Sequence, residues 1–148
     1  MEKPSENLVI RGVEKKDAKY LLNLSIQLGY SVSYEKLEKH MNKIIGDDDH
    51  IIYVAQNNEK VVGWIHAYIY KLFYADLMVE IGGIVVDKSK RKKGIGNKLM
   101  KEAENWGREK GCSAINLRSN IIRKNAHIFY ENLGFKNVKK QFTFHKKL

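Results

Sequence analysis

The sequence predicts a mixed α/β sheet with a central parallel strand pair flanked by about four helices. Three observations carry that expectation. A strand–helix–strand run extends from Met78 to Arg118, and such a unit closes as two parallel strands joined by a right-handed crossover. Ahead of it, the β-branched and aromatic runs His50 to Gln56 and Lys60 to Tyr70 flank Asn57-Asn58-Glu59, which reads as an antiparallel hairpin. Elsewhere, apolar residues recur at helical spacing in stretches that glycine stops.

The chain has 148 residues and one proline, the length of a single domain over 1–148, with 1–6 expected to be a flexible N-terminus. The residues before Leu8 lack the apolar core of a signal peptide, and the longest strongly apolar stretch, Val61 to Tyr70, contains His66 and is too short to span a bilayer. A membrane role is therefore not expected. The single Cys112 excludes an internal disulfide and fits a reducing compartment, so the expected location is cytoplasmic.

Taken in order, Leu8 to Val13 is a first strand, and Ala18, Leu21, Leu22, Leu24 and Leu28 mark a helix that ends near Gly29. Ser33 is placed as an N-cap, with Val32 and Leu37 spaced for a hydrophobic staple; Leu37, His40, Met41, Ile44 and Ile45 then share one side of a helix that stops at Gly46. In the strand Lys60 to Tyr70, alternation puts Trp64, His66, Tyr68 and Tyr70 on one face and Val61, Gly63, Ile65 and Ala67 on the other. The strand Met78 to Val86 contains Gly82-Gly83, an interior glycine pair that predicts a bulge or a close backbone approach. A helix from Gly94 to Lys110 follows, with Ile95, Leu99, Ala103 and Trp106 on its buried side. Ser113 to Arg118 is a buried strand, and Lys124 to Leu133 a short helix ended by Gly134. In Val138 to Lys146, Phe142 and Phe144 alternate with polar residues, which predicts a last strand closing the sheet.

The chemistry concentrates where the strand ending at Val86 meets the helix opening at Gly94. A glycine-rich first turn leaves backbone N–H groups unpaired at the positive end of the helix dipole, and anions bind there. Lys88, Lys90, Arg91, Lys92 and Lys93 stand directly before it. A second basic cluster, Lys136, Lys139, Lys140, Lys146 and Lys147, reads as a solvated face. The net charge of +10 raises nucleic acid as a partner, but no helix-turn-helix or RNA-binding motif accompanies it. No Gly-Lys dipeptide occurs, which removes a Walker A loop, and Leu99 stands where the dinucleotide fingerprint needs its third glycine. Helix capping alone also accounts for glycines at this position.

The loop Arg91-Lys92-Lys93-Gly94-Ile95-Gly96 resembles the Arg/Gln-x-x-Gly-x-Gly/Ala loop of the GNAT superfamily of N-acetyltransferases. Ile84-Val85-Val86 before it and Ala126 to Phe135 after it match further parts of that pattern in order. The resemblance implies acetyl-CoA as cosubstrate, no metal, and acetyl transfer to a primary amine of a small molecule or peptide by direct attack in a ternary complex. It implies that the backbone of Lys92, Lys93, Gly94, Ile95, Gly96 and Asn97, with Arg91, holds the diphosphate, and that Ile84, Val85 and Val86 guide the pantetheine arm. A homodimer is common in the superfamily.

Attack on a thioester needs a base for the amine, a donor for the oxyanion and an acid for the leaving sulfur. Glu80 stands eleven residues before Arg91, the offset at which the superfamily's histone acetyltransferases carry a glutamate base. The alternative is that Glu80 faces solvent or pairs with a lysine, and that ordered water does the work. The resemblance makes Tyr130 the acid and a backbone N–H near Val85 or Val86 the oxyanion donor. Many members place a cofactor-contacting asparagine where this chain has Arg123; either Arg123 or Asn125, two residues later, can substitute for it, and Asn125 is the expected cofactor contact. His40, His50, His66 and His145 show no metal spacing, His127 reads as a packed or solvent-facing helix residue, and Cys112 as an inert thiol. Asp47, Asp48, Asp49 and Asp76 either rim an amine site or are simply solvated loop residues. A CoA-binding regulatory module without turnover is the alternative function.

Overall fold

The computed structural model describes residues 7–148, and the stretch 1–6 expected to be flexible lies outside them. Two compact units divide the chain, one ending at Leu117 and the other Arg118–Leu148, and each is described by itself. The first holds β1 (Leu8–Gly12), α1 (Ala18–Leu28), α2 (Tyr34–Ile45), β2 (His50–Asn57), β3 (Lys60–Tyr70), β4 (Met78–Val86), α3 (Ile95–Glu109) and β5 (Ala114–Leu117). The second holds α4 (Lys124–Asn132). The sheet order is β1-β2-β3-β4-β5, antiparallel except for the parallel pair β4-β5. This is the mixed sheet with a parallel pair and four α-helices that the sequence predicts.

Local chemistry sets the boundaries. Ser33 caps α2 by accepting the Lys36 N–H at 3.3 Å, and Gly29, at φ 104°, ends α1 in the left-handed conformation. Ahead of α1, Asp17 is 2% exposed and accepts two guanidinium N–H groups of Arg11, each at 2.8 Å. That bidentate pair fastens β1 to the helix start.

The sheet is covered on both faces. On one, Ala18, Leu21 and Leu24 of α1 and Met41 of α2 form a core with Ile52, Val54 and Val85, and Trp64 packs against it. On the other lies α3: Leu99 Cδ1 would stand 3.3 Å from a Cβ at Gly63, and Gly107 leaves room for the Val79 side chain. The β3–β4 ladder shifts between His66 and Ala67; His66 opposes Gly83 while Ala67 opposes Ile81, so Gly82 is the extra residue of a bulge. The β4–β5 ladder runs only from Met78↔Ala114 to Ile81↔Leu117. Beyond Ile81, β4 pairs along β3 and leaves the β5 side of its backbone outside the ladder.

One expected element is corrected. Val138 to Lys146 forms no strand, and the sheet ends at β5. Val138, Phe142 and Phe144 are 82%, 91% and 93% exposed. Alternation tells which side of a strand would be buried, but a strand also requires a backbone partner and a surface to cover that side.

Candidate functional site

The end of β4 is built to hold its loop open. Asp87 Oδ1 accepts from the Ser89 N–H and the Ser89 hydroxyl, both at 3.0 Å, and Arg91 Nε–H donates back to the Val86 carbonyl at 3.0 Å. Arg91 therefore ties the loop to the strand. Lys92 (φ 64°) and Gly94 (φ 82°) are both left-handed, a backbone shape that turns N–H groups toward a common side. Gly94 is the N-cap of α3 and supplies no side-chain acceptor, while its carbonyl accepts the Lys98 N–H at 3.2 Å. The amides of Ile95, Gly96 and Asn97 thus precede the first intrahelical bond. A Cβ at Gly94 would meet nothing within 4 Å, so the backbone is open to a ligand. Lys88, Arg91, Lys92 and Lys93 are exposed around it. The arrangement fits a diphosphate.

Further back on β4, Glu80 is 5% exposed, so the solvent-facing alternative for this residue is set aside. Register places it opposite Tyr68, and Tyr68 opposite His50, which puts all three on one face with His66 and Trp64. The bulge glycines are required by these neighbours. A Cβ on Gly82 would lie 2.8 Å from His66 Nδ1, and one on Gly83 2.9 Å from Trp64 Cη2. Ile84 and Val86 are partly buried and Val85 buried, on the stretch of β4 that has no β5 partner. The Trp64 indole N–H is buried with no acceptor among the described residues.

In the second unit, Tyr130 is buried on α4, edge-on to Phe129 at 5.4 Å and Phe135 at 6.1 Å. Burial pushes its phenol pKa up, with Arg123 acting the other way, so the phenol keeps its proton at neutral pH. Asn125 is exposed in the first turn of α4. His127 Nε2 lies 2.9 Å from the Asn120 carbonyl oxygen and so braces the turn before that helix.

Other candidates are sorted by their contacts. Asp49 accepts from Lys71 Nζ at 2.9 Å, and Asp47 Oδ1 accepts the Asp49 N–H at 2.9 Å, so the acidic loop is partly neutralised from within. Cys112 is partly buried, and that burial raises its thiol pKa, which disfavours the reactive thiolate. No group of three metal-ligating side chains occurs among the described residues. What sequence reasoning missed is a pair: His50 Nδ1 and His66 Nε2 lie 2.9 Å apart. The signal was present in the hairpin register, which brings His50 beside His66 across β2 and β3, but it is invisible to a search for metal spacing.

Fold and loop together define a mixed α/β domain in which one strand runs from a buried carboxylate, through a bulge, into a glycine-opened helix. Residues 19–135 match the Acetyltransferase (GNAT) family, and the chain belongs to it. It is 35% identical over 91 residues to the aminoalkylphosphonate N-acetyltransferase of Salmonella typhimurium, a match covering 61% of this chain and 59% of that protein. The chain thus spans less than two thirds of that relative's length. Among solved structures, glucosamine-6-phosphate N-acetyltransferase from Arabidopsis thaliana is similar at 26% identity and a TM-score of 0.83, over 96% of this chain and 100% of that one. The aminoglycoside N-acetyltransferase AAC(6')-Iy in complex with CoA superposes with a TM-score of 0.86 over 95% of each chain. At 21% identity, that last likeness is one of fold.

Proposed function

We propose that this protein is an acetyl-CoA-dependent N-acetyltransferase that acetylates a primary amine by direct attack in a ternary complex. The observation that carries the reading is the buried Glu80 on the same strand that ends in the open, cation-lined start of α3. Family membership gives that geometry its chemistry. When bound, acetyl-CoA supplies an activated acyl group. The amides from Lys92 to Asn97, with the surrounding cations, hold its diphosphate; the β4 backbone at Ile84, Val85 and Val86 receives the pantetheine arm, and an N–H near Val85 or Val86 polarises the carbonyl. Glu80 takes the proton of the amine, and the family resemblance assigns Tyr130 the proton for the departing sulfur and Asn125 a cofactor contact. The lone cysteine supports a cytoplasmic location, and no helix of the described residues is long and apolar enough to cross a membrane.

For the acceptor, we propose an amine that also carries an anionic group. A net charge of +10 repels polycations, and two of the similar proteins are named for amines bearing a phosphonate or a phosphate. The test is thiol release from acetyl-CoA across 2-aminoethylphosphonate, glucosamine 6-phosphate, kanamycin and peptide N-termini. Turnover is expected with the first two above the others. Binding of CoA without thiol release from any amine would establish the regulatory module instead. Glu80→Gln and Tyr130→Phe are expected to lower kcat about a hundredfold with the acetyl-CoA Kd nearly unchanged, and wild-type rates in either would remove that residue's role.

A further inference from the structure

Glu80 is 5% exposed, and a proton taken from an amine by a base so placed has to leave the interior before the next turnover. Two histidines on the same face of the sheet provide a route. His66 Nε2 and His50 Nδ1 lie 2.9 Å apart, with ring centroids 5.2 Å apart, and the Tyr68 ring lies 5.3 Å from His50 and 5.9 Å from His66. Each ring has a second nitrogen, and the two point opposite ways. His66 Nδ1 lies over β4, 2.8 Å from where a Gly82 side chain would begin, and the absence of that side chain gives the ring its place. His50 Nε2 is 4.0 Å from Asp47 Oδ2, on a carboxylate whose side chain is 47% exposed. The four nitrogens therefore run in sequence from the Glu80 strand to the surface.

We propose that His66 and His50 form a proton exit, carrying the proton released on the Glu80 face of β4 to water at Asp47. The proposal rests on the N-acetyltransferase reading. Acetylation of an ammonium group yields amide, thiol and one free proton, and it is this proton that must be exported. One proton binds His66 Nδ1; the Nε2 proton passes to His50 Nδ1; the His50 Nε2 proton passes to the Asp47 carboxylate or to water. One N–H bond forms and one breaks on each ring, so each ends neutral, as its other tautomer; once product has left, His66 Nδ1 gives its proton to water in the emptied site while His50 Nε2 regains one from solvent, which restores the first tautomers before the next cycle. The groups facing the pair are Asp47 and Asp49 from the loop before β2 and Tyr68 from β3, and Glu80 of β4 shares their face of the sheet, opposite Tyr68; Lys71 is held by Asp49, and α2 contributes uncharged Ile44 and Ile45 beside His50. Burial and the neighbouring His50 push the His66 pKa down to about 4, which favours passing a proton on over storing it.

The experiment compares two acceptors in wild type, His50→Gln and His66→Gln. 2-Aminoethylphosphonate is an ammonium ion at pH 7 and its acetylation releases a proton; aniline is neutral and its acetylation releases none. In folded variants, confirmed by circular dichroism and thermal melting, the loss of kcat on 2-aminoethylphosphonate is expected to exceed the loss on aniline by about tenfold or more, and added imidazole is expected to restore part of the His50→Gln rate. Equal losses on the two acceptors, or no loss, would overturn the exit. A wild-type protein that acetylates no amine would overturn the enzyme reading and the exit with it, whereas a fully active Glu80→Gln variant would move the base and leave the acceptor comparison intact.

Discussion

Asp17 is a charge buried at a junction, and its surroundings decide its sign. Burial opposes ionisation, but two Arg11 N–H groups and the Glu14 N–H, all at 2.8 Å, hold the carboxyl below the ordinary carboxylate range. Removing it takes the acceptor from two Arg11 N–H groups and from the Glu14 N–H at a largely buried position, so Asp17→Ala is expected to cost about 3 kcal/mol in urea unfolding. The contribution is complete above the unfolded carboxyl value of about 3.9 and disappears as pH falls through the lower folded value. Acid titration of the wild type is therefore expected to show a loss in that window that Asp17→Asn lacks. His66 has the opposite chemistry and the same direction of pH response. Its neutral ring, with a pKa of about 4 by burial and by His50, resists the proton that an unfolded histidine accepts near pH 6.5. Between those values the unfolded state binds more protons, so stability is expected to fall on acidification from pH 7 to pH 4, by about 3 kcal/mol at most. Melting curves over that range check this, and His66→Gln should flatten the slope.

At the scale of elements, β4 and α3 separate stability from binding at two glycines. Gly107 leaves the space that the Val79 side chain fills, so Gly107→Ala forces α3 off β4 and is expected to cost about 1–3 kcal/mol in denaturant unfolding. Gly94 has open space around it but φ 82°, where a side chain costs about 1–2 kcal/mol. Gly94→Val is therefore expected to remain folded while the acetyl-CoA Kd rises about tenfold or more, measured by calorimetry. Both elements were legible in the sequence because their signals are local: the apolar spacing of Ile95, Leu99, Ala103 and Trp106, and the unusual Gly82-Gly83 in a strand. The buried Glu80 was legible in part, since a lone carboxylate in an apolar strand calls for a reason. The His50–His66 contact was not, because residues sixteen apart meet only once the β2–β3 register is fixed. The failure at Val138 to Lys146 has the same origin in reverse: Phe142 and Phe144 alternate as strand residues do, yet pairing is a property of two segments and only one was in view.

Across the whole molecule, the net charge of +10 acts at two ranges. Long-range attraction for any polyanion depends on the total and is screened beyond about 10 Å at 0.1 M salt. Short-range attraction depends on which cations adjoin oriented backbone donors, and Lys92 and Lys93 adjoin the start of α3. Lys146 and Lys147 belong to an exposed segment outside any helix or strand. If the cradle is what binds, replacing Lys92 and Lys93 by alanine should weaken acetyl-CoA binding and flatten its dependence on salt. The same two-charge loss at Lys146 and Lys147 should change the affinity only slightly and leave the salt dependence nearly as it was. Calorimetry from about 0.05 to 0.5 M salt reads both quantities, over a range in which the screening length falls about threefold. A nucleic-acid surface predicts a different ordering, since phosphate contacts spread over many lysines and each contributes to the salt slope. Equal effects of the two double variants, together with DNA binding that acetyl-CoA does not displace, would shift the function of the charge from the cofactor to a nucleic acid.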